Sequence, residues 1–273
     1  MQNELIIEAG RTERQYWRDL WRFRELLYFL AWRDVLVRYK QTVIGILWAV
    51  IRPFLTMVVF TIIFSKLAKL PSNGVPYPIL VFAALLPWQL FANSLAECGN
   101  SLLTNSNLIS KIYFPRLIVP TSAVLVGFVD FLISFGMLVA MMVWYGYAGN
   151  ARMLALPLFM LWALIAAGGA GLWLAALTVR YRDFRYIVPF MVQFGLYISP
   201  VGFSSSVVPE KWRLLYAINP MVGVIDGFRW AILNENTQLY MPGILMSAAV
   251  SAILLITGVW YFRKTERTFA DII

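Results

Sequence analysis

The chain has 273 residues, of which 60% are hydrophobic and 14% charged, and its formal net charge is +9. Soluble domains contain about 25% charged residues, so this composition excludes an ordinary soluble fold and indicates a polytopic membrane protein. In such a protein the positive charge reflects basic cytoplasmic loops and anionic lipid rather than nucleic-acid binding. We predict an all-α membrane protein in which residues 1–42 form a cytoplasmic N-terminal segment and residues 43–273 form one six-span domain.

The first predicted element is an amphipathic helix in the N-terminal segment. Its apolar residues recur at helical spacing and form one stripe, from which the basic residues are excluded. The stripe consists of Tyr16, Leu20, Phe23, Leu27 and Leu30. Trp17, Trp21 and Trp32 add amphipathic rings. We predict an interfacial helix with its apolar side in lipid and its basic side toward anionic head groups.

Six apolar segments follow, each close to the roughly 20 residues that a helical crossing needs. They cover residues 43–65, 78–96, 118–145, 154–178, 186–203 and 242–262. Arg52 and Pro53 interrupt the first segment, and Asp130 lies in the third. Two interpretations remain for these charges: Arg52 pairs with Asp130, or it extends to the cytoplasmic surface.

Two further patterns concern helix packing. On the fourth segment, small residues recur at four-residue spacing and predict close helix contacts. They are Ala163, Ala167, Gly171 and Ala175. Between the fifth and sixth segments, apolar stretches at 214–218 and 222–233 are too short to span and are separated by Asn219-Pro220. They predict a re-entrant or interfacial helical hairpin on the outer side, with an ordinary long loop as the alternative.

Lys and Arg are unequally distributed between the two sides of this topology. With Arg52 counted as intramembrane, sixteen lie in the N-terminal segment, the loops after the second and fourth segments and the C-terminus, against six on the other side. Cytoplasmic loops carry the excess of basic residues. Both termini and the 105–120 loop are therefore predicted to be cytoplasmic.

The 105–120 loop is polar and lies between two long apolar runs. Asn107 is placed to cap a short helix, and Pro115 to end it. Two apolar pairs are spaced four residues apart. They are Leu108 with Ile112 and Ile109 with Tyr113. The pattern predicts a helix of about two turns with an apolar face, which is either a docking knob for another protein or a turn on the membrane surface.

Several kinds of chemistry are excluded by composition. The chain has no His and one Cys, Cys98, which excludes a Ser-His-Asp triad, a His-ligated metal and an intrachain disulfide. It contains no G-x-x-x-x-G-K-[ST] pattern for nucleotide binding. Scattered acidic residues disfavour a membrane-embedded glycosyltransferase, and scarce intramembrane charge disfavours a secondary carrier. We therefore expect no cofactor in this chain, and energy supplied by another chain.

Aromatic residues form stripes on three predicted spans. They are Phe60 and Phe64 on the first, Trp88 and Phe91 on the second, and Phe190, Phe194 and Tyr197 on the fifth. Aromatic faces suit the apolar C–H faces of sugar rings. Packing or lipid contact remains the commoner role of any single aromatic.

At this point the chain resembles a known family, in three segments. They read YKQTVIGILWAVIRPFLTMVVFTIIFSKL (39–67), SNLISKIYFPRLIVP (106–120) and VPEKWRLLYAINPMVGVIDGFRWAIL (208–233). They are similar to the permease subunit of polysaccharide-exporting ABC transporters, the type-2 export permeases of O-antigen, teichoic acid and capsule systems. The stretches 112–115 and 219–221 are the most specific, and the resemblance covers nearly the whole chain.

The resemblance implies a homodimeric six-span permease of the inner membrane that pairs with two copies of a separate ABC ATPase, which binds ATP and Mg. Its substrate is a lipid-linked glycan that follows the aromatic residues. The cytoplasmic loop resembles the ATPase-coupling helix, with Asn107, Leu108, Ile109, Lys111, Ile112, Tyr113, Pro115 and Arg116. The N-terminal helix resembles a gate or second ATPase contact, with Tyr16, Trp17, Leu20, Trp21, Phe23 and Arg24. Export of a small amphiphile, such as a drug or lipid, is the alternative on the same scaffold.

Overall fold

The computed structural model describes residues 13–40, 45–71, 74–147, 149–233 and 239–269. Within these residues every regular element is helical, so the fold is all-α, as predicted. Five helices are long and apolar enough to cross a membrane. They cover Leu47–Leu67, Tyr77–Thr104, Ile118–Trp144, Ala151–Arg180 and Met241–Thr268. The chain is therefore a multi-pass membrane protein.

The helices are numbered in chain order. The first four are α1 (Glu13–Arg22), α2 (Arg24–Lys40), α3 (Gly45–Phe60) and α4 (Tyr77–Thr104), and those that follow are α5 (Ser106–Lys111), α6 (Ile118–Trp144), α7 (Leu156–Arg180) and α8 (Phe184–Ile198). The last three are α9 (Glu210–Tyr216), α10 (Pro220–Ile232) and α11 (Met241–Thr265). A π-helical turn, Thr61–Leu67, continues α3 without a break. The start of the first predicted span, at 43–44, lies outside the described residues.

The fifth predicted span, 186–203, is shorter than the sequence suggested. Helix α8 has 15 residues and ends at Ile198. At a rise of 1.5 Å per residue this gives a length of about 22 Å, less than the ~30 Å hydrocarbon layer. The helix stops because Ser199 is extended, with φ −74° and ψ 152°, and a residue before proline disfavours the helical conformation. The chain thus has five full-length spanning helices and one shorter apolar helix within its described residues.

Helix α4 lies at the centre of the bundle, with α6, α7 and α10 packed around it. Its residues 79–86 are all buried. The predicted small-residue ridge on α7 is buried as well. A Cβ placed on Gly171 of that ridge would lie 2.6 Å from Sγ of Cys98 on α4. The missing side chain is therefore what allows these two helices to approach, which confirms the predicted close packing.

The predicted hairpin between the fifth and sixth spans consists of α9 and α10, separated at Asn219-Pro220. The Asn219 side chain accepts a hydrogen bond from the backbone N–H of Met221 at 3.0 Å and caps α10. Arg229 of α10 is buried and donates to the carbonyl oxygens of Phe203 at 2.6 Å and Val201 at 2.9 Å. The hairpin is thus fixed to the end of the short helix α8 by charge-assisted hydrogen bonds.

The N-terminal segment forms two helices, α1 and α2, which are interrupted at Phe23. The predicted apolar stripe exists, but its environment differs from the prediction. Leu30 is buried, and the remaining stripe residues pack against a cluster formed by α4–α7 and the C-terminal end of α11. The expectation that this stripe faces lipid is therefore wrong. An amphipathic pattern records only that one face avoids water, and here the protein itself covers that face.

The aromatic residues outside the stripe take the exposed positions instead. Trp21 and Phe29 are 72% and 62% exposed, and Trp17, Tyr28 and Trp32 are exposed as well. Tyr28 and Trp32 stack with ring centroids 6.4 Å apart. Rings of this kind are typical of the membrane–water interface.

Candidate transport path and partner-facing loop

The loop that was predicted to be cytoplasmic and to contact another protein contains the short helix α5, but its boundaries differ from the prediction. The helix begins at Ser106, so Asn105, and not Asn107, occupies the cap position, and no side-chain cap bond forms. It ends at Lys111 because Ile112 is extended, with φ −125° and ψ 137°. Pro115 therefore lies beyond the helix and does not end it.

The apolar residues of this loop divide into a buried set and an exposed set. Ile109 is 4% exposed and packs into the same cluster as the N-terminal stripe, with Leu108 partly buried against it. Ile112 and Tyr113 are 56% and 51% exposed. The predicted pairing of Leu108 with Ile112 on one exposed face is wrong, because the helix ends before Ile112. The surface available to a partner is instead the extended Ile112-Tyr113 segment.

The other predicted loop residues lie around this segment. Asn107 and Lys111 are exposed and Pro115 is buried. Arg116 donates a hydrogen bond to the carbonyl oxygen of Glu266, just after α11. The loop is therefore tied at its base to the C-terminal end of the bundle, while Ile112 and Tyr113 at its tip are about half exposed.

The predicted gate residues lie next to the same end of the bundle. The Tyr16 hydroxyl donates to Oε2 of Glu266 at 2.9 Å, and Leu20 and Phe23 pack against the shared cluster. Trp17 and Trp21 are exposed, and the Arg24 guanidinium lies 5.6 Å from the centre of the Trp21 ring. Tyr16 and Arg116 thus meet at one residue, which joins the N-terminal helices to the loop.

The predicted path aromatics are brought together only in part. Phe60 contacts Phe64 and Tyr197, with ring centroids 5.4 and 6.3 Å apart, so α3 and α8 meet through these rings. Trp88 pairs with Phe91 at 5.7 Å. Phe60 and Trp88 are buried, as expected for packing residues.

The aromatic residues of α8 have the most open surface. Phe190 and Phe194 stack with their centroids 5.7 Å apart and an interplanar angle of 8°. They are 65% and 55% exposed, and Tyr197 is 60% exposed. These three residues form a continuous aromatic face along one side of α8, available to substrate, lipid or a second chain.

A cavity of about 570 Å³ lies on the opposite side of α8, where Val192 and Leu196 line it and these three aromatic residues do not. Residues of α3, α4, α6 and α8 line it, together with the end of α2. Part of its polar character comes from α4, where Gln89, Asn93 and Glu97 are spaced four residues apart and line the cavity. Polar groups at membrane depth are expected to face a protein interior or a water-filled cavity. Their regular spacing on an otherwise apolar helix is a signal for such a cavity, and the predictions made from the sequence did not include it.

The cavity also contains an ion-pair network, which argues against pairing of Arg52 with Asp130, one of the two interpretations that the sequence left open. Arg38, and not Arg52, pairs with Asp130, at 2.5 Å. Arg38 also pairs with Glu97, and the Tyr39 hydroxyl donates to the Asp130 carboxylate. Burial disfavours the charged form of Arg38, but the Asp130 and Glu97 carboxylates outweigh burial and raise the pKa of the guanidinium. The network links the end of α2 to α4 and α6.

A cavity that carries polar side chains and is lined by membrane-spanning helices is typical of a membrane transport protein. The chain belongs to the ABC-2 type transporter family, whose model matches residues 25–233. This family membership agrees with the resemblance that the sequence suggested.

Named relatives match over most of the chain. One, named O-antigen export system permease protein RfbA, from Myxococcus xanthus, is 28% identical over 256 residues, which is 93% of this chain and 97% of that protein. A protein of the same name from Klebsiella pneumoniae is 27% identical and covers 91% of this chain and 95% of its own length. The inner membrane transport permease YadH of Escherichia coli K12 is 23% identical, over 77% of this chain and 86% of that protein.

Proposed function

We propose that this chain is the membrane-spanning subunit of an ABC exporter that carries a lipid-linked polysaccharide across the cytoplasmic membrane. The observation that carries the proposal is the similarity, over more than nine-tenths of the chain, to two proteins named as O-antigen export permeases. YadH, named as an inner membrane transport permease, supports placing the chain in the inner membrane. The basic residues support cytoplasmic termini.

The cavity between α3, α4, α6 and α8, called the groove from here on, supports a glycan as the substrate. Its α4 floor carries the amide and carboxylate groups of Gln89, Asn93 and Glu97, which can hydrogen-bond to sugar hydroxyls. The exposed rings of Phe190, Phe194 and Tyr197 form a second surface, on the side of α8 away from this cavity, on which sugar rings can stack. A second copy of the chain facing this groove would enclose the path, so we propose a homodimer.

ATP hydrolysis is assigned to a partner, because the sequence contains no P-loop. We propose two ABC ATPase subunits, which bind ATP and Mg and contact the exposed Ile112-Tyr113 segment. Burial of the Ile112 side chain against a partner contributes about 1.5–3 kcal/mol. A contribution of this size is sufficient to couple motion but insufficient to hold the complex alone, given the cost of association.

The experiment that tests this function measures ATPase co-purification and surface glycan in cells whose own permease gene is replaced. Ile112→Asp should reduce both, because it places a charge where the ATPase must exclude water. Ser110→Asp adds the same charge at an exposed site two residues away and serves as the matched control. Ile112→Asp cells that assemble the complex and export like wild type would refute the assignment of the loop.

A double variant, Phe194→Ala with Tyr197→Ala, tests the path in the same cells. Export should decrease while the ATPase still co-purifies. Trp260→Ala on α11 removes a ring of similar exposure, 60%, outside the groove and should leave export unchanged. If all these variants export normally, the chain is not a glycan exporter that uses this aromatic face.

A further inference from the structure

A second cavity lies at the end of the bundle that is predicted to face outward. It has a volume of about 310 Å³ and lies between the α9–α10 hairpin, the turn at 204–206 and the start of α11. None of the residues that line it also lines the groove. The function proposed above therefore leaves this cavity, called the outer cavity from here on, without a role.

The carboxyl group of Asp226 on α10 lines the outer cavity and is only partly covered. The Ser205 hydroxyl donates a hydrogen bond to it. Among the described residues, no Lys or Arg lies within salt-bridge distance of this carboxyl group. The nearby Arg229 donates instead to the carbonyl oxygens of Val201 and Phe203. A carboxylate can accept about four hydrogen bonds, so Asp226 retains acceptor capacity in the cavity.

The turn at 204–206 provides a hydrogen-bond donor beside this acceptor. Ser204 Oγ accepts from the backbone N–H of Ser206 at 3.3 Å and from its hydroxyl at 2.8 Å. A hydroxyl group that accepts twice still has its own proton to donate. Asp226 and Ser204 thus present an acceptor and a donor to the same cavity, which suits sugar hydroxyls because each of them can both donate and accept.

The charges around the outer cavity disfavour an ionic ligand. A cation would meet the guanidinium groups of Arg213 and Arg229, which both lie close enough to interact electrostatically with Asp226. An anion would meet the Asp226 carboxylate, and the guanidinium groups offer it few free donors. Arg213, for example, donates to the carbonyl oxygens of Val208 and Ser206, both at 2.9 Å. A neutral ligand that is rich in hydroxyl groups avoids both costs.

Aromatic rings form the rest of the wall that a sugar would need. Tyr216, Trp230 and Tyr240 line the outer cavity. The Tyr216 hydroxyl donates to the carbonyl oxygen of Ile198 at 2.7 Å, which fixes the ring. The Arg152 guanidinium lies 5.2 Å from the centre of the Trp230 ring and holds it in place. Fixed rings beside hydroxyl and carboxyl groups suit a ligand with an apolar C–H face and polar edges.

We propose that the outer cavity binds one neutral sugar ring, with Asp226 accepting from its hydroxyl groups and Ser204 donating to them. The cavity volume, about 310 Å³, is at the lower end of the roughly 300–1,000 Å³ of small-molecule sites, which limits the ligand to about one ring. The inference rests on the function proposed above for the source of that sugar, which is a glycan that has crossed the membrane.

The test is a direct binding measurement on the full chain in phosphatidylcholine nanodiscs, without the maltoside detergents that themselves carry sugar. Saturation-transfer NMR is recorded with glucose, galactose, mannose and N-acetylglucosamine. At least one of them should bind, and Asp226→Ala should weaken its binding about 10-fold or more, as expected when hydrogen bonds to a charged group are lost. Glu210→Ala removes an exposed carboxylate of the same hairpin, outside the cavity, and should bind like wild type.

Two charged sugars test the preference for a neutral ligand. Glucuronate, an anion, and glucosamine, a cation, should both bind more weakly than the neutral sugar that binds best. If either charged sugar binds as tightly as that neutral sugar, or if none of the four neutral sugars binds to the wild type, the proposal is overturned.

Elution as a single species and a cooperative melting transition establish that a variant is folded. Folded Asp226→Ala that binds sugar like wild type would refute the site. If Asp226→Ala does not fold, Ser204→Ala decides. Loss of one neutral hydrogen bond should weaken binding about 2- to 12-fold, and unchanged binding by Ser204→Ala would refute the site.

The outcomes also separate this site from the proposed function. If the wild type binds none of the sugars, the site is refuted while glycan export still stands on the Ile112, Phe194 and Tyr197 variants. If sugar binding requires Asp226 but those variants export normally, the site stands and the proposed export function is refuted.

Discussion

Removal of Arg38 should destabilise the bundle more than removal of any fully exposed cation. The guanidinium pairs with Asp130 of α6 at 2.5 Å and also with Glu97 of α4. Arg38→Gln would leave both carboxylates without their partner in the groove. The Tyr39 hydroxyl bond to Asp130 would remain and compensate in part.

The magnitude follows from the exposure of each partner. The side chains of Arg38 and Asp130 are 29% and 16% exposed, whereas that of Glu97 is 48% exposed. Breaking a buried pair costs about 3–5 kcal/mol, whereas an exposed pair contributes about 0.2–1 kcal/mol. The Asp130 pair lies between these limits and the Glu97 pair near the lower one. We expect a loss of about 2–4 kcal/mol for Arg38→Gln.

This loss can be measured by unfolding the purified chain in mixed detergent micelles at increasing mole fraction of dodecyl sulfate. Arg22→Gln, at the exposed end of α1, is the control and should change stability by less than about 0.5 kcal/mol. Asp130→Asn should remove much of the effect of Arg38→Gln, so the two changes together should cost less than their sum. If the Arg38→Gln variant were as stable as the Arg22→Gln control, the ion-pair network of Arg38 with Asp130 and Glu97 would be refuted.

Three other outcomes are expected. Gly171→Ala should destabilise the chain by about 1–3 kcal/mol in the same unfolding assay, because the added Cβ would lie 2.6 Å from Sγ of Cys98. Gly136→Ala is the control and should leave stability unchanged, because no atom lies within 4 Å of its added Cβ. Equal losses of stability in the two variants would contradict the predicted packing of α7 against α4. A spin label at Phe29 should be accessible to lipid-soluble oxygen and one at Arg22 to a water-soluble nickel complex, and the reverse order would show that α2 does not lie at the membrane surface. Burial raises the pKa of the Asp226 carboxyl above its usual range. Its contribution to stability should therefore be present below about pH 4 and decrease as the pH rises through the raised pKa. Melting temperatures measured from pH 4 to 7 should fall with rising pH in wild type, and this fall should be absent in Asp226→Asn.

Hydropathy located the spanning helices well, because a helix that crosses lipid must be a long apolar run whatever its neighbours are. The same reasoning could not identify what covers the N-terminal stripe. Tyr16, Leu20 and Phe23 would show identical spacing whether lipid or protein lay against them. Their packing against a cluster from distant elements depends on contacts such as Tyr16 with Glu266, 250 residues apart, and helical periodicity carries no information at that separation.

The groove was missed for a related reason. Arg52 and Asp130 are the most conspicuous charges inside apolar segments, and their pairing was one of the two interpretations that the sequence left open. The actual partner, Arg38, lies in α2, outside the predicted spans and 92 residues from Asp130. The polar residues of α4 were readable, since Gln89, Asn93 and Glu97 recur every four residues on a helix that is otherwise almost wholly apolar. Such a stripe predicts a polar cavity even where its other walls are unknown.

The position of α5 connects the 105–120 loop to this groove. Ile109 of α5 and Leu30 of α2 are buried in one cluster, together with residues of α4, α6 and α7. Close-packed interiors deform little and transmit displacement to their neighbours. A partner that moves the Ile112-Tyr113 segment must therefore also shift α2, unless the cluster opens. Arg38, near the end of that helix, pairs with the two carboxylates beside Arg52, so a shift of α2 would alter the charge available in the groove. We therefore expect a substitution in the loop, the N-terminal helices or the cavity to change the behaviour of the other two.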